Sequence, residues 1–136
     1  MQLTLIQNSD QTTALAYRIA RVVYAQTGAS SLSVVEALTS MINNLSQRSG
    51  IPISEIITDK NIFDVLDEKS ESHNLLNVYA DNRAFQMCVR VATRMLSGGL
   101  CDSVFGATRF HHVSTIPVWA QSLGYIADID GLLFYV

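Results

Sequence analysis

The chain has 136 residues, 49% of them hydrophobic and 15% charged, with mean hydropathy +0.22 and a net charge of −3. That size and apolar content predict one domain over 1–136 with a substantial core. No Lys/Arg cluster offers a nucleic-acid or anionic-membrane surface, and no apolar run is long enough to span a bilayer.

The opening MQLTLIQNSDQ lacks the basic and apolar regions of a signal peptide, so its sequence predicts no export signal. A first helix is expected from about Thr12 to Gln26. Leu15, Ile19, Val22, Val23 and Gln26 recur at the spacing of one helical face. The first four are apolar and predict a core face. Gln26 continues the stripe just before Gly28, a natural helix end, so a long amide is aimed inward where helix opens into loop. Such a group needs a partner or a pocket.

Ser33 and Glu36 read as a capping box opening a second helix, with Val34, Leu38, Met41, Ile42 and Leu45 inward and Gly50-Ile51-Pro52 closing it. Residues 53–76 read as short helical turns joined by polar loops. Asp81 is the expected N-cap of a third helix that buries Phe85, Cys88, Val89, Ala92, Met95 and Leu96 and stops at Gly98-Gly99.

The pattern then changes. VFGATRFHHV reads as extended, PVWAQSLG as a short helix, and YIADIDGLLFYV as two strands around an Asp130-Gly131 turn. About three main helices followed by a small antiparallel sheet make the expected fold α+β.

Chemistry-bearing motifs are sparse. His111 and His112 are adjacent, so on a strand they point to opposite faces, and His73 has no companion ligand nearby; neither a metal site nor a cofactor is expected. There is no Gly-x-Ser-x-Gly and no phosphate-cradling glycine loop. Cys88 and Cys101 are too few for a disulfide framework, and both are expected to be free, at least one in the core. The only glutamates are Glu36, Glu55, Glu68 and Glu71; capping accounts for the first, and the others sit in polar loops. One segment is richer than a fold requires: FGATRFHHVSTIPVWA gathers Thr108, Arg109, His111, Trp119 and two phenylalanines. On an extended chain Phe105, Ala107, Arg109 and His111 share one side, and Thr108, Phe110 and His112 the other. Aromatics interleaved with short polar groups suit either a sugar-lined groove or an aromatic core corner.

The stretch MLSGGLCDSVFGATRFHHVSTIPVWA, followed by GLLFY, resembles the C-terminal signature of the SleB-like (spore-cortex-lytic-enzyme) cell wall hydrolases: Leu-Ser-Gly, an Asp-containing loop, Gly-Ala-Thr-x-Phe-His, Pro-x-Trp-Ala and a final hairpin. IARVVYAQTGASSLSVVEALTSMINN is similar to that family's first helix, turn and second helix. The likeness covers about Leu15 to Asn44 and Phe85 to Tyr135.

The resemblance implies a lysozyme-like domain that cleaves peptidoglycan glycan strands next to N-acetylmuramic acid, in the manner of a muramidase or lytic transglycosylase. One glutamate would protonate the leaving oxygen while the muramic acid's own hydroxyl closes an anhydro ring. That partner places the domain's work in the periplasm or cell wall. The family's glutamate falls on Gln26, its next glutamate on Ser30, and its asparagine is kept as Asn44. The first histidine of its strand motif is Arg109 and the second is kept as His111; Thr108 and Trp119 complete the implied glycan contacts. An amide has no titratable proton near neutral pH, so Gln26 cannot be a general acid. An engineered glutamine variant, a natural member that has lost catalysis and binds glycan or a partner, and a substitute carboxylate all fit. The substitute carboxylate is the weakest of the three, because Glu36 lies about three turns past the site and is committed to capping. Outside the family, a helical module whose aromatic segment docks a protein also fits.

Overall fold

The computed structural model describes residues 2–121 and 124–136. In chain order it contains α1 (Gln2–Thr27), α2 (Leu32–Ser49), a single turn α3 (Ile53–Ile56), two 3-10 turns (Asp64–Leu66 and His73–Asn77), α4 (Arg83–Leu96), β1 (Arg109–His112), a 3-10 turn (Val118–Gln121), β2 (Tyr125–Ile129) and β3 (Leu132–Tyr135). Helices come first and a small sheet last, an α+β arrangement. The part of PVWAQSLG at 122–123 lies outside the described residues.

α1 begins at Gln2, well before the expected Thr12. The stretch ahead of Thr12 contains no Gly or Pro to break a helix, and an apolar stripe marks only where a helix packs, not where it starts. From Ala16 to Ala25 the stripe is buried through Ile19, Ala20, Val22 and Val23, and α1 packs chiefly along α4. Gly28, at φ 67°, ends α1 and donates its N–H to the Tyr24 carbonyl at 2.8 Å.

α2 is capped two residues earlier than read. Ser31 is the N-cap, with φ −154° and ψ 156°, and its hydroxyl accepts from the Val34 N–H at 3.2 Å. Ser33 is already helical, so the Ser33–Glu36 box does not form. Glu36 instead pairs with Arg94 of α4 at 3.2 Å. Val34, Leu38, Met41 and Ile42 are buried as expected, Leu45 only partly. Likewise Asn82, not Asp81, caps α4, accepting from the Phe85 N–H at 3.0 Å. A cap is set by which residue turns extended, and neighbouring candidates of equal chemistry are indistinguishable in sequence.

The sheet order is β1-β3-β2, both pairs antiparallel, with Phe110 opposite Phe134 and His111 opposite Leu133. The β2–β3 hairpin turns at Asp130 (φ 51°) and Gly131 (φ 88°), the left-handed pair a two-residue loop requires. Leu132 and Phe134 face the helices and are at most 1% exposed. With Phe63 and Phe85, both fully buried, they belong to one contiguous apolar cluster; burying each such ring contributes about 1.5–3 kcal/mol. Of the expected extended run, only Arg109–His112 is strand. Residues 103–106 form a turn in which Phe105 (φ 48°) and Gly106 (φ 83°) are both left-handed. Among the described residues no helix is long and apolar enough to cross a membrane.

Candidate functional site

Gln26 lies on the last turn of α1, where the buried stripe below it fixes its direction. It is 3% exposed. Its Nε2 lies 2.7 Å from His112 Nε2, while Oε1 is buried with no hydrogen-bond partner. Since the amide nitrogen donates, His112 Nε2 accepts and the imidazole proton sits on Nδ1. One end of the amide is tied to β1, and the other is a bare acceptor.

β1 is an edge strand, so side chains on both of its faces reach the open rim. On the inner face His112 follows Phe110, their rings meeting edge-on at 6.4 Å. On the outer face His111 is 8% exposed and stacked on Tyr135 at 5.4 Å, with Trp119 edge-on at 5.6 Å. His111 Nδ1 faces the His112 carbonyl at 2.7 Å, and a carbonyl only accepts, so the His111 proton sits on Nδ1. Nε2 then accepts from the Tyr135 hydroxyl at 3.0 Å. Both ring nitrogens of His111 are spent inside the protein.

The result is a cleft of about 210 Å³ lined by Gln26, Asn61, Asp64, His111, His112, Thr115, Pro117 and Trp119, with Ile62 and Phe110 at its base. The two histidines, expected on opposite faces, border the same cleft because it lies at the strand's edge and end. A second lobe of about 160 Å³ adds Thr108 and Arg109 and shares Asn61, Ile62, Phe110 and Trp119 with the first. The structure thus brings together Gln26, His111 and Trp119 in one lobe, and Thr108, Arg109 and Trp119 in the next. Charge is divided along them. Exposed Asp64 stands in the Gln26 lobe, and Arg109, half-buried, lies 4.9 Å over the Trp119 ring in the other.

Asn44 is placed elsewhere. Its amide donates to Asp102 Oδ2 at 3.2 Å and to the Ala107 carbonyl at 3.1 Å, clamping the 102–107 turn. Asp102 also accepts from the Val104 and Gly106 N–H groups, so this amide is held by the fold rather than offered to a ligand. Ser30 donates to Asp130 Oδ2 at 2.6 Å, joining the α1–α2 turn to the hairpin tip. The hydroxyls of Ser30 and then Ser31 hold the Asp130 carboxyl below its ordinary range.

Four polar cleft residues, Asn61, Asp64, His112 and Thr115, escape the sequence reading. Asn61 and Asp64 flank Ile62-Phe63, and the fully buried Phe63 pins this segment so that its polar neighbours face the cleft. The only signal is an apolar pair inside a polar loop. His112 is passed over because strand alternation directs it away from His111. Both cysteines are free: Cys88 is buried, which pushes its thiol up to about 12, and Cys101 is exposed. Among the described residues no group of three or more His, Cys, Asp or Glu side chains converges as a metal would require.

Compared with family models, curated proteins and solved structures, the chain shows no significant match to any of the three.

Proposed function

We propose that this chain is a lysozyme-like, peptidoglycan-directed domain of the SleB-like cell wall hydrolase type. In this reading it holds the glycan strand next to N-acetylmuramic acid, with cleavage impaired because Gln26 stands where the acid is needed. The observation that carries the reading is the Gln26 amide: buried, anchored to His112, left with an unpaired Oε1, and lining a cleft walled by His111 and Trp119.

A buried acceptor without a partner costs about 1–3 kcal/mol. A sugar hydroxyl or an N-acetyl N–H donating to Oε1 would remove that cost on binding. Trp119 lines both lobes and offers an apolar face to a sugar ring, and Thr108, Asn61 and Thr115 add short polar groups beside it. This is the composition of a saccharide groove, mostly apolar with a few convergent hydrogen-bonding groups. The chemistry of a lytic transglycosylase needs one carboxyl, and the Gln26 position adjoins a titratable imidazole but holds only an amide.

The test is co-sedimentation of the purified protein with peptidoglycan sacculi. We expect the protein to pellet with sacculi at micromolar concentration, and Gln26→Ala to weaken pelleting. A protein that stays in solution over that range would overturn the reading and favour a protein-docking module.

A further inference from the structure

Resting on the glycan reading above, we propose that the chain carries a second saccharide site, apart from the Gln26 cleft, that takes an uncharged sugar ring and gives the domain a second hold on the glycan.

The site is a pocket of about 390 Å³ between the last turns of α1 and the segment leading into α4, lined by Tyr24, Asn74, Leu75, Asn77, Tyr79 and Asp81 among others. It shares no lining residue with either lobe of the cleft. Tyr24 and Gln26 are two residues apart on α1, so they project about 200° apart around its axis. The two sites therefore flank the helix end from different sides.

The fold grips this segment by its backbone. Arg21 Nη1 donates to the Leu76 and Val78 carbonyls at 3.1 and 2.7 Å, while its guanidinium lies 5.1 Å over the Phe85 ring. Gln86 Nε2 donates to the Ala80 carbonyl, and the Asn82 N–H donates to the Tyr79 carbonyl at 3.0 Å. Tyr24 meets Phe85 edge-on at 6.1 Å, which sets its ring. The polar side chains on this held backbone are left over. The side chains of Asn74, Asn77, Tyr79 and Asp81 make no hydrogen bond or ion pair among the described residues, and Tyr79 is 83% exposed. Little ordering is left to be done on binding, which favours affinity.

These groups choose their ligand by chemistry. The only charged lining residue is an acid, so phosphates, the lactyl carboxylate and the acids of a stem peptide are repelled. Amides both donate and accept, and a carboxylate accepts, which together match the donor-and-acceptor character of sugar hydroxyls. An aromatic ring with a polar tip suits the apolar face of a sugar ring. One such contact is weak alone. Joined through one polymer to the cleft, two holds can exceed either affinity by about 10²–10⁴-fold.

The experiment follows the amide signals of the isotope-labelled full chain by NMR during titration with an N-acetylglucosamine tetramer. Two groups of signals are expected to move and saturate separately, one around Trp119 and one over 74–82. Tyr79→Ala should silence the second group and leave the first, whereas Tyr79→Phe, which keeps the ring, should retain both. The Tyr79 ring stands in solvent, so neither change disturbs packing. On sacculi, Tyr79→Ala should weaken pelleting by about tenfold or more, as loss of one of two linked holds requires.

Movement confined to the signals around Trp119 overturns this proposal while leaving the glycan reading in place. So does Tyr79→Ala protein that pellets like the parent. Glucosamine moving the 74–82 signals where the N-acetylated sugar does not would show a cation site and overturn it as well. Movement of neither group also overturns it, and if the protein does not pellet on sacculi the glycan reading falls with it.

Discussion

Replacing Gln26 by glutamate tests the chemical half of the proposed function. The two side chains are nearly equal in volume, so a position 3% exposed loses no packing and opens no cavity. The contact with His112 at 2.7 Å is kept and becomes charge-assisted whenever the pair is ionic. Such bonds contribute about 1.5–3 kcal/mol against about 0.5–1.5 for a neutral one, which offsets the cost of burying the acid. Stability is therefore expected to change by no more than about 1 kcal/mol.

Two influences act on the introduced carboxyl. Burial disfavours the charged form and raises its pKa, while a protonated His112 favours the charged form and lowers it. The carboxyl and imidazole then titrate as a pair. A general acid must hold a proton, so cleavage should be present at low pH and lost as the pair gives up its last proton on the alkaline side.

General acid catalysis contributes about 10²–10⁴-fold, or about 3–5 kcal/mol of barrier. The assay is incubation of sacculi with both forms, with anhydro-ended muropeptides counted by mass spectrometry. Robust cleavage by the glutamine form would refute the reasoning, since another group would then supply the proton. Cleavage by neither form, with sacculi still bound, would mean the chemistry is lost more widely, with Arg109 and Ser30 the next departures to restore.

The Asp130 carboxyl is held down by Ser30 first and Ser31 second, so its contribution to stability is present above the unfolded value of 3.8 and is lost as pH falls through the lower folded value. Ser30→Ala should lower stability near neutrality, and the difference from the parent should vanish in strong acid, as acid titration of the circular dichroism signal would report. The thiol of Cys88 is pushed up to about 12 by burial, so a thiol reagent at pH 8 should label only the exposed Cys101 in the native protein and both cysteines after denaturation. Phe105→Asn should stabilise the fold by about 0.5–1 kcal/mol in chemical denaturation, because a left-handed backbone suits asparagine better than phenylalanine. The ring is 77% exposed, so little packing is lost; a clear loss of stability would show that it packs in solution.

What the sequence made legible is what depends on periodicity. The inward direction of Gln26, the buried face of α4 and the Asp130-Gly131 hairpin all follow from spacing, because side-chain direction in a helix or strand repeats. What depends on competition between equivalent groups was not legible. Ser31 and Ser33 are chemically alike, and the backbone chose Ser31; Glu36, freed from capping, found Arg94. Asn44 could have served a ligand or a loop, and the carbonyl of Ala107 and the carboxylate of Asp102 took it. Asn61 and Asp64 reached the cleft through the burial of Phe63, a long-range packing event that leaves no local pattern. Alternation predicted the faces of His111 and His112 but not that both would border one cleft, since that follows from β1 lying at the sheet's edge.

The Gln26 position is hard to account for by folding alone. A hydrophobic side chain of similar length would continue the stripe of Ile19, Val22 and Val23 and leave no buried acceptor unpaired. The amide instead ties α1 to β1 through His112 while leaving Oε1 without a partner. If the contact existed only to join helix and strand, a fully satisfied pair would do so at lower cost. A half-satisfied one is stable only because the rest of the core supports it, as strain at a functional site usually is. The two groups are also matched in charge. A neutral amide beside a neutral imidazole can be buried without a counterion, whereas a carboxylate there would draw a proton onto His112 or keep its own. On the proposed reading the substitution of an amide leaves the architecture of the cleft and removes the one proton its chemistry turns on.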